Sequence, residues 1–95
     1  MAQIEVERVE QDEPPSFRVR VTDDDGSSAA YMVTLSTADQ ERLAAGYPSD
    51  EAFVLACLEF LLKREPKESI LRSFDISEIS TYFPEFEAMI SRSAE

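Results

Sequence analysis

Residues 17–35 read FRVRVTDDDGSSAAYMVTL, and this stretch decides the fold of the chain. Apolar and polar residues alternate with period two over 17–22 and again over 30–35, which predicts two half-buried strands. Between them, Asp25 and Gly26 form a pair that tolerates positive φ in a hairpin turn. The stretch therefore predicts a β-hairpin.

An earlier segment with the same alternation, IEVE at residues 4–7, predicts a third strand. A loop over 11–15 separates it from the hairpin, because the prolines in this loop cannot donate to a ladder. We predict strands over about 3–9, 16–22 and 29–35, arranged as a three-stranded antiparallel meander.

Two helices are expected to follow the hairpin, over about 37–45 and 49–65. Ser36 or Thr37 can cap the first helix, and Gly46 ends it. Ser49 caps the second helix, which stops before Pro66. Apolar side chains cover more than half the circumference of this second helix, so it is the predicted core helix. The sheet covers only part of this apolar surface, so the C-terminal helices or a second subunit must cover the rest.

The C-terminal third predicts three short helices, over about 66–72, 75–81 and 84–92. Pro66 and Pro84 suit the first position of a helix, and Asp75 with Glu78 has capping-box spacing. Residues 1–95 are therefore expected to form a single α+β domain. In it, a three-stranded antiparallel meander packs on a long central helix, and short C-terminal helices cover that helix.

The composition excludes several kinds of chemistry. The chain has no His, Asn or Trp, one Cys and two Gly. One copy therefore cannot assemble a Ser-His-Asp relay, a zinc site of imidazole and thiolate, or a Gly-rich phosphate cradle. A single Cys forms no internal disulfide, and the lack of Asn removes every N-glycosylation site, so a reducing cytoplasm is the expected compartment.

The formal net charge of −11 is spread along the whole chain. Such a surface repels nucleic acid phosphates and anionic membranes, so neither is an expected partner. The longest apolar run, over 52–58, is far shorter than the roughly 20 residues that a membrane helix needs.

Three features could suggest chemistry, and each has a simpler interpretation. The acids at 23–25 before Gly26 resemble a calcium loop, but Met32 then stands where the bidentate Glu is required. The spacing of the other carboxylates is that of solvated faces, and Cys57 lies within the apolar arc of the core helix. We therefore predict no enzyme, and no catalytic, cofactor-binding or metal-binding residue.

The C-terminal third carries more apolar side chains than one small core can cover. Tyr82, Phe83 and Phe86 lie close together in sequence beside Pro84. Most of the aromatic group should be core, and these three residues are the candidates for an exposed anchor that binds a protein partner. The alternative is that all three belong to the core.

Two resemblances accompany these patterns. The motifs FLLKREP at 60–66, ESILR at 68–72, FD at 74–75 and YFPEF at 82–86 resemble a group of short uncharacterised bacterial proteins. This resemblance implies a bacterial, stand-alone domain and no particular chemistry. The strand-helix-helix order over 31–65 resembles that of ribbon-helix-helix regulators, whose paired strands enter the DNA major groove.

The sequence thus favours a non-catalytic protein-binding or accessory module that acts on a protein partner or as a homodimer. The alternative is a transcriptional regulator like those of the ribbon-helix-helix family. Against this alternative, Asp50 and Glu51 stand at the helix end that would face phosphate. A third hypothesis, a carboxylate-dependent enzyme, would need two acids that converge in a pocket.

Overall fold

The computed structural model describes residues 3–9 and 15–93 as a sheet with helices packed on one of its faces. The strands are β1 (Gln3–Val9), β2 (Ser16–Thr22), β3 (Ser28–Thr34) and β4 (Ser73–Asp75). The helices are α1 (Thr37–Leu43), α2 (Asp50–Leu62), α3 (Ile76–Tyr82) and α4 (Phe86–Ser93), with 3₁₀ turns at Ala44–Gly46 and Lys67–Ser69. The fold is α+β, as predicted.

The predicted hairpin forms at the expected place. β2 and β3 pair in antiparallel register, with Val19 opposite Tyr31, and Gly26 has a φ of +87° in the turn between them. The Gly26 N–H donates to the carbonyl of Asp23 at 2.9 Å, and the Ser27 N–H donates to the Asp25 carboxylate at 2.9 Å. The loop predicted over 11–15 lies, apart from Pro15, outside the described residues.

The alternation of the sequence separates the two faces of the sheet. The inner face carries the fully or almost fully buried side chains of Phe17, Val19, Val21, Tyr31 and Val33. On the outer face, Glu5 stands opposite Arg20 and Glu7 opposite Arg18, which places opposite charges on neighbouring strands. The helices therefore cover one face, and the charged face is left to solvent.

The sheet has four strands rather than the three that the sequence predicted. Its order is β1-β2-β3-β4, and the added strand β4 runs parallel to β3. The Met32 N–H donates to the Arg72 carbonyl at 2.8 Å, which continues this pairing. A three-residue strand is too short to show a period in the sequence. It forms because the outer edge of β3 has backbone groups that need partners.

The helix predicted over 66–72 was wrong. Only Lys67–Ser69 makes a 3₁₀ turn, and Ile70 is extended, with φ −78° and ψ 136°. The Tyr31 hydroxyl donates to the Lys67 carbonyl, and the Lys67 ammonium pairs with Asp23. These contacts hold the segment against the β2–β3 hairpin, where a longer helix would carry the chain away from the edge of β3.

α2 is the core helix, although it is shorter than the predicted span of 49–65. The hydroxyl of Ser49 accepts from the Ala52 N–H at 3.0 Å and caps the start of the helix. After Leu62 the last turn tightens, since the Arg64 N–H donates to the Leu61 carbonyl only three residues back, at 3.0 Å. Its fully buried side chains are Phe53, Val54, Cys57 and Leu58.

The C-terminal helices cover the face of α2 that the sheet leaves open. Phe60 of α2 contacts Phe83 and Phe86 edge to face, with ring centroids 5.9 and 5.1 Å apart. Arg42 of α1 donates two hydrogen bonds, of 2.7 and 3.0 Å, to the Glu87 carboxylate of α4. These contacts fix α4 on the core. No helix in the described ranges is long and apolar enough to cross a membrane.

Candidate functional site

The three predicted partner-binding residues have three different environments. Tyr82 is exposed over 66% of its surface, Phe83 is partly buried against the core, and Phe86 is fully buried. Phe86 therefore belongs to the core and is not available as a surface anchor. The reason is tertiary, since Phe86 opens α4 at the point where that helix packs on Phe60.

Tyr82 and Phe83 line an apolar groove of about 160 Å³. The groove lies between the end of α2, the segment that leads into β4, and α3. Its lining consists of Leu61, Glu65, Ser69, Leu71, Phe74, Glu78, Ile79, Tyr82 and Phe83. We call it the α3 groove.

The sequence analysis did not identify Leu71, which lines the α3 groove, as a surface residue. It is 49% exposed, whereas its neighbour Ile70 is buried. The sequence predicted a helix here, and the exposure of Leu71 depends on the extended backbone that replaces it. The segment has no alternation of apolar and polar residues, and positions 71–73 are all exposed, so no local signal identifies Leu71.

The capping box at the start of α3 positions one wall of the α3 groove. The Asp75 carboxylate accepts from the Ser77 N–H at 2.9 Å, and the Glu78 carboxylate accepts from the Asp75 N–H at 2.8 Å. These two hydrogen bonds confirm the capping box that the spacing of Asp75 and Glu78 predicted. From that fixed start, α3 buries Ile79 against the core and leaves Tyr82, nearly one turn later, at the rim.

Two carboxylates, and no basic residue, line the α3 groove. Neither Glu65 nor Glu78 forms an ion pair with any residue of the described ranges. Of the nearby cations, Arg64 is engaged elsewhere: it bonds to Glu85 at 3.2 Å, and its guanidinium lies 3.7 Å from the centre of the Phe60 ring. The lining of the groove therefore carries two negative charges and no positive charge.

The buried cation Lys67 stabilises the segment that contributes Ser69 and Leu71 to the α3 groove. The Lys67 side chain is only 6% exposed and pairs with Asp23 and with Glu68, the latter at 3.0 Å. The hydrogen bonds that the Lys67 ammonium donates to Asp23 and then to Glu68 raise the pKa of Lys67, and the bond that Glu68 accepts from Lys67 lowers the pKa of Glu68. This cluster joins the β2–β3 hairpin to the turn that precedes Leu71, and both acids satisfy Lys67.

The size of the α3 groove decides what it can hold. Sites for drug-sized ligands and cofactors usually enclose about 300 to 1,000 Å³, whereas a cavity of about 150 Å³ lined by apolar residues holds a molecule as small as benzene. The volume here matches one ring or one branched aliphatic side chain. Larger depressions of about 310 to 400 Å³ have several charged residues in their walls.

Cys57 and the carboxylates are the residues that could have suggested chemistry. Cys57 is fully buried, and burial raises the pKa of its thiol well above the ordinary value, which opposes thiolate formation. Among residues 3–9 and 15–93, no group of three or more Cys, Asp or Glu side chains is arranged to hold a metal ion.

The geometry of β3 differs from that of the paired strand in ribbon-helix-helix regulators. β3 is hydrogen-bonded to β2 along one edge and, over Met32–Thr34, to β4 on the other, so the second half of that outer edge is not open to the same strand of a second copy. At the start of α2, Asp50 accepts from Gln40 at 2.7 Å and pairs with Arg8 at 3.3 Å. A carboxylate therefore occupies the position that would face phosphate.

Comparisons of the chain with protein-family models, with curated proteins and with solved structures find no match. Over residues 3–9 and 15–93, the fold and the surface are those of an α+β domain with a mixed four-stranded sheet, a buried central helix and a small apolar groove lined by two carboxylates.

Proposed function

We propose that the protein is a non-catalytic protein-binding module that holds an apolar side chain of its partner in the α3 groove. One observation carries this proposal. Among the described residues, three large apolar side chains are exposed, Leu71, Tyr82 and Met89, and two of them line the same groove. Exposed apolar residues that converge on a concavity are typical of interaction surfaces, whereas scattered ones are ordinary.

The chemistry of the rim supports binding to a protein. Tyrosine is enriched at the centres of interfaces because its ring buries apolar area while its hydroxyl keeps a hydrogen bond. In the α3 groove, Tyr82 lies beside the buried side chains of Phe74 and Ile79, which provide an apolar floor. The volume suits a side chain and is too small for most cofactors.

The net charge of −11 supports the same proposal against the regulator alternative, since DNA binding depends on neutralised phosphates. The pairing of β3 with β2 along one edge, and with β4 over Met32–Thr34 on the other, favours the proposal as well. The proposal includes a cytoplasmic location, because a single buried Cys and the absence of Asn suit a reducing compartment.

Selection from a displayed library of random peptides tests the proposal. Peptides enriched on the wild-type protein should lose binding to the double variant Leu71→Ser, Tyr82→Ser. They should keep binding to Met89→Ser, the matched control, because Met89 is 41% exposed but lies outside the α3 groove. Enriched peptides that bind the double variant as well as the wild type would place binding elsewhere and overturn the proposal.

A further inference from the structure

The charges around the α3 groove indicate which kind of segment it binds. Its lining combines an apolar floor with two carboxylates, of Glu65 and Glu78. We infer that the occupant is a partner segment in which a large aliphatic or aromatic side chain is flanked by lysine or arginine. This inference rests on the proposed function and names the partner chemistry of that same groove.

The first step of the argument is that these carboxylates have no cation of their own. Arg64 and Lys67 flank Glu65 in sequence, yet Arg64 bonds to Glu85 and Lys67 bonds to Asp23 and Glu68. Lys63 and Arg72 form no ion pair among the described residues, but neither of them lines the α3 groove. Glu65 and Glu78 therefore remain as acceptors next to an apolar concavity.

The second step is that the hydrogen bond of Glu78 leaves it capacity for a partner. One of its oxygens, Oε2, accepts from the Asp75 N–H in the capping box. A carboxylate has two oxygens and about four acceptor positions, so Glu78 can hold a second donor without loss of the cap. Lysine and arginine are donors that carry the complementary charge.

The third step excludes a second copy of the chain as the favoured occupant. A second copy would bring its own net charge of −11, and its exposed Leu71 and Tyr82 stand beside the same two acids. Like charges opposed across an interface are unfavourable, whereas a basic segment is attracted from a distance by the acidic field.

Three synthetic peptides of about ten residues test this inference. They share an apolar centre of leucine and phenylalanine and differ only in their flanks, which are lysine, glutamine or glutamate. Amide chemical shifts of ¹⁵N-labelled protein at Ser69, Leu71 and Tyr82 report binding at the α3 groove. We expect the lysine peptide to bind about 2- to 30-fold more tightly than the glutamine peptide, which is the range for two exposed ion pairs.

The preference should shrink when salt rises from about 50 mM to about 300 mM, because exposed charges are screened. It should also shrink in Glu65→Gln and Glu78→Gln, while the apolar contact remains. Glutamine keeps an acceptor for the capping box, so Glu78→Gln should retain α3. Glu41→Gln is the matched control, since it removes one exposed acid on α1 outside the groove.

Each remaining outcome overturns the inference, and the outcomes differ in what they mean for the proposed function. Equal binding of the three peptides at the α3 groove would show that the acids do not contribute to recognition, while the groove would remain the docking site. Shifts of groove amides on concentrating the protein alone would make a second copy the occupant. If no peptide shifts these amides, the display selection decides whether docking at the groove also fails.

Discussion

The β2–β3 hairpin and the segment after Pro66 are both rich in apolar residues, but they bury them to different extents. In the hairpin, all the large apolar residues that face the helices are buried. In the C-terminal segment, Phe74 and Phe86 are buried while Leu71 and Tyr82 are exposed. The same composition thus produces a completed core in one region and an incompletely covered surface in the other.

The difference follows from how each region is paired. β2 has a neighbouring strand on both edges, and its alternation sends every second side chain to the same buried face. α3 has seven residues and α4 has eight, so each presents about two turns to a core that α2 already fills. Apolar side chains beyond that contact area have only the surface to occupy, as Tyr82 does at the α3 groove and Met89 does outside it.

Removal of the fully buried aromatic ring of Phe86 should have the largest effect on stability. Phe86→Ala should lower the free energy of unfolding by about 3 to 5 kcal/mol, because it opens a cavity against Phe60. Urea denaturation measures this loss. Phe86→Leu, which keeps more of the volume, is the control and should lose less. A loss below about 0.5 kcal/mol would contradict the assignment of Phe86 to the core.

Loss of the capping box should have an intermediate effect. Asp75→Ala should destabilise the protein by about 1 kcal/mol, because the Ser77 N–H loses its acceptor. Asp75→Asn keeps an oxygen at that position and should be nearly neutral. If the two variants unfold at the same urea concentration, the cap does not hold the groove wall.

Acid should weaken the attachment of α4. The hydrogen bonds from Arg42 lower the pKa of Glu87, so this pair contributes stability that is present above the ordinary pKa of Glu and is lost as the pH falls through the lowered value. Glu87→Gln has no carboxyl to protonate. It should therefore lose less stability than the wild type between about pH 7 and about pH 3. Equal losses in the two proteins would show that the pair contributes nothing.

The exposed aromatic ring should have the smallest effect on stability. Tyr82→Ser should change the free energy of unfolding by less than about 0.5 kcal/mol, because the ring is 66% exposed. Tyr47→Ser is the contrast, since Tyr47 packs on Phe53 and donates to the Ile90 carbonyl at 2.7 Å. A large loss for Tyr82→Ser would mean that this side chain is part of the core and that the hairpin and the C-terminal segment do not differ in this way.

The sequence by itself determined the features that depend on neighbouring residues. The alternation over 17–35 predicted β2 and β3, Gly26 predicted the turn, and Ser49 predicted the start of α2. Asp75 and Glu78 likewise predicted the start of α3. Each of these signals acts within a few residues, through side-chain periodicity, a permitted φ or a cap on a free N–H.

Only the tertiary structure decided β4 and the exposure of the aromatic residues. Ser73 becomes a strand residue because Met32, some forty positions earlier, offers the open edge of β3. Phe86 is buried because Phe60 lies beside it, while Tyr82 has no such cover and remains at the rim of the α3 groove. Strand pairing and burial here depend on partners that are distant in sequence. The local sequence pattern carries no information about which residues will contact those partners.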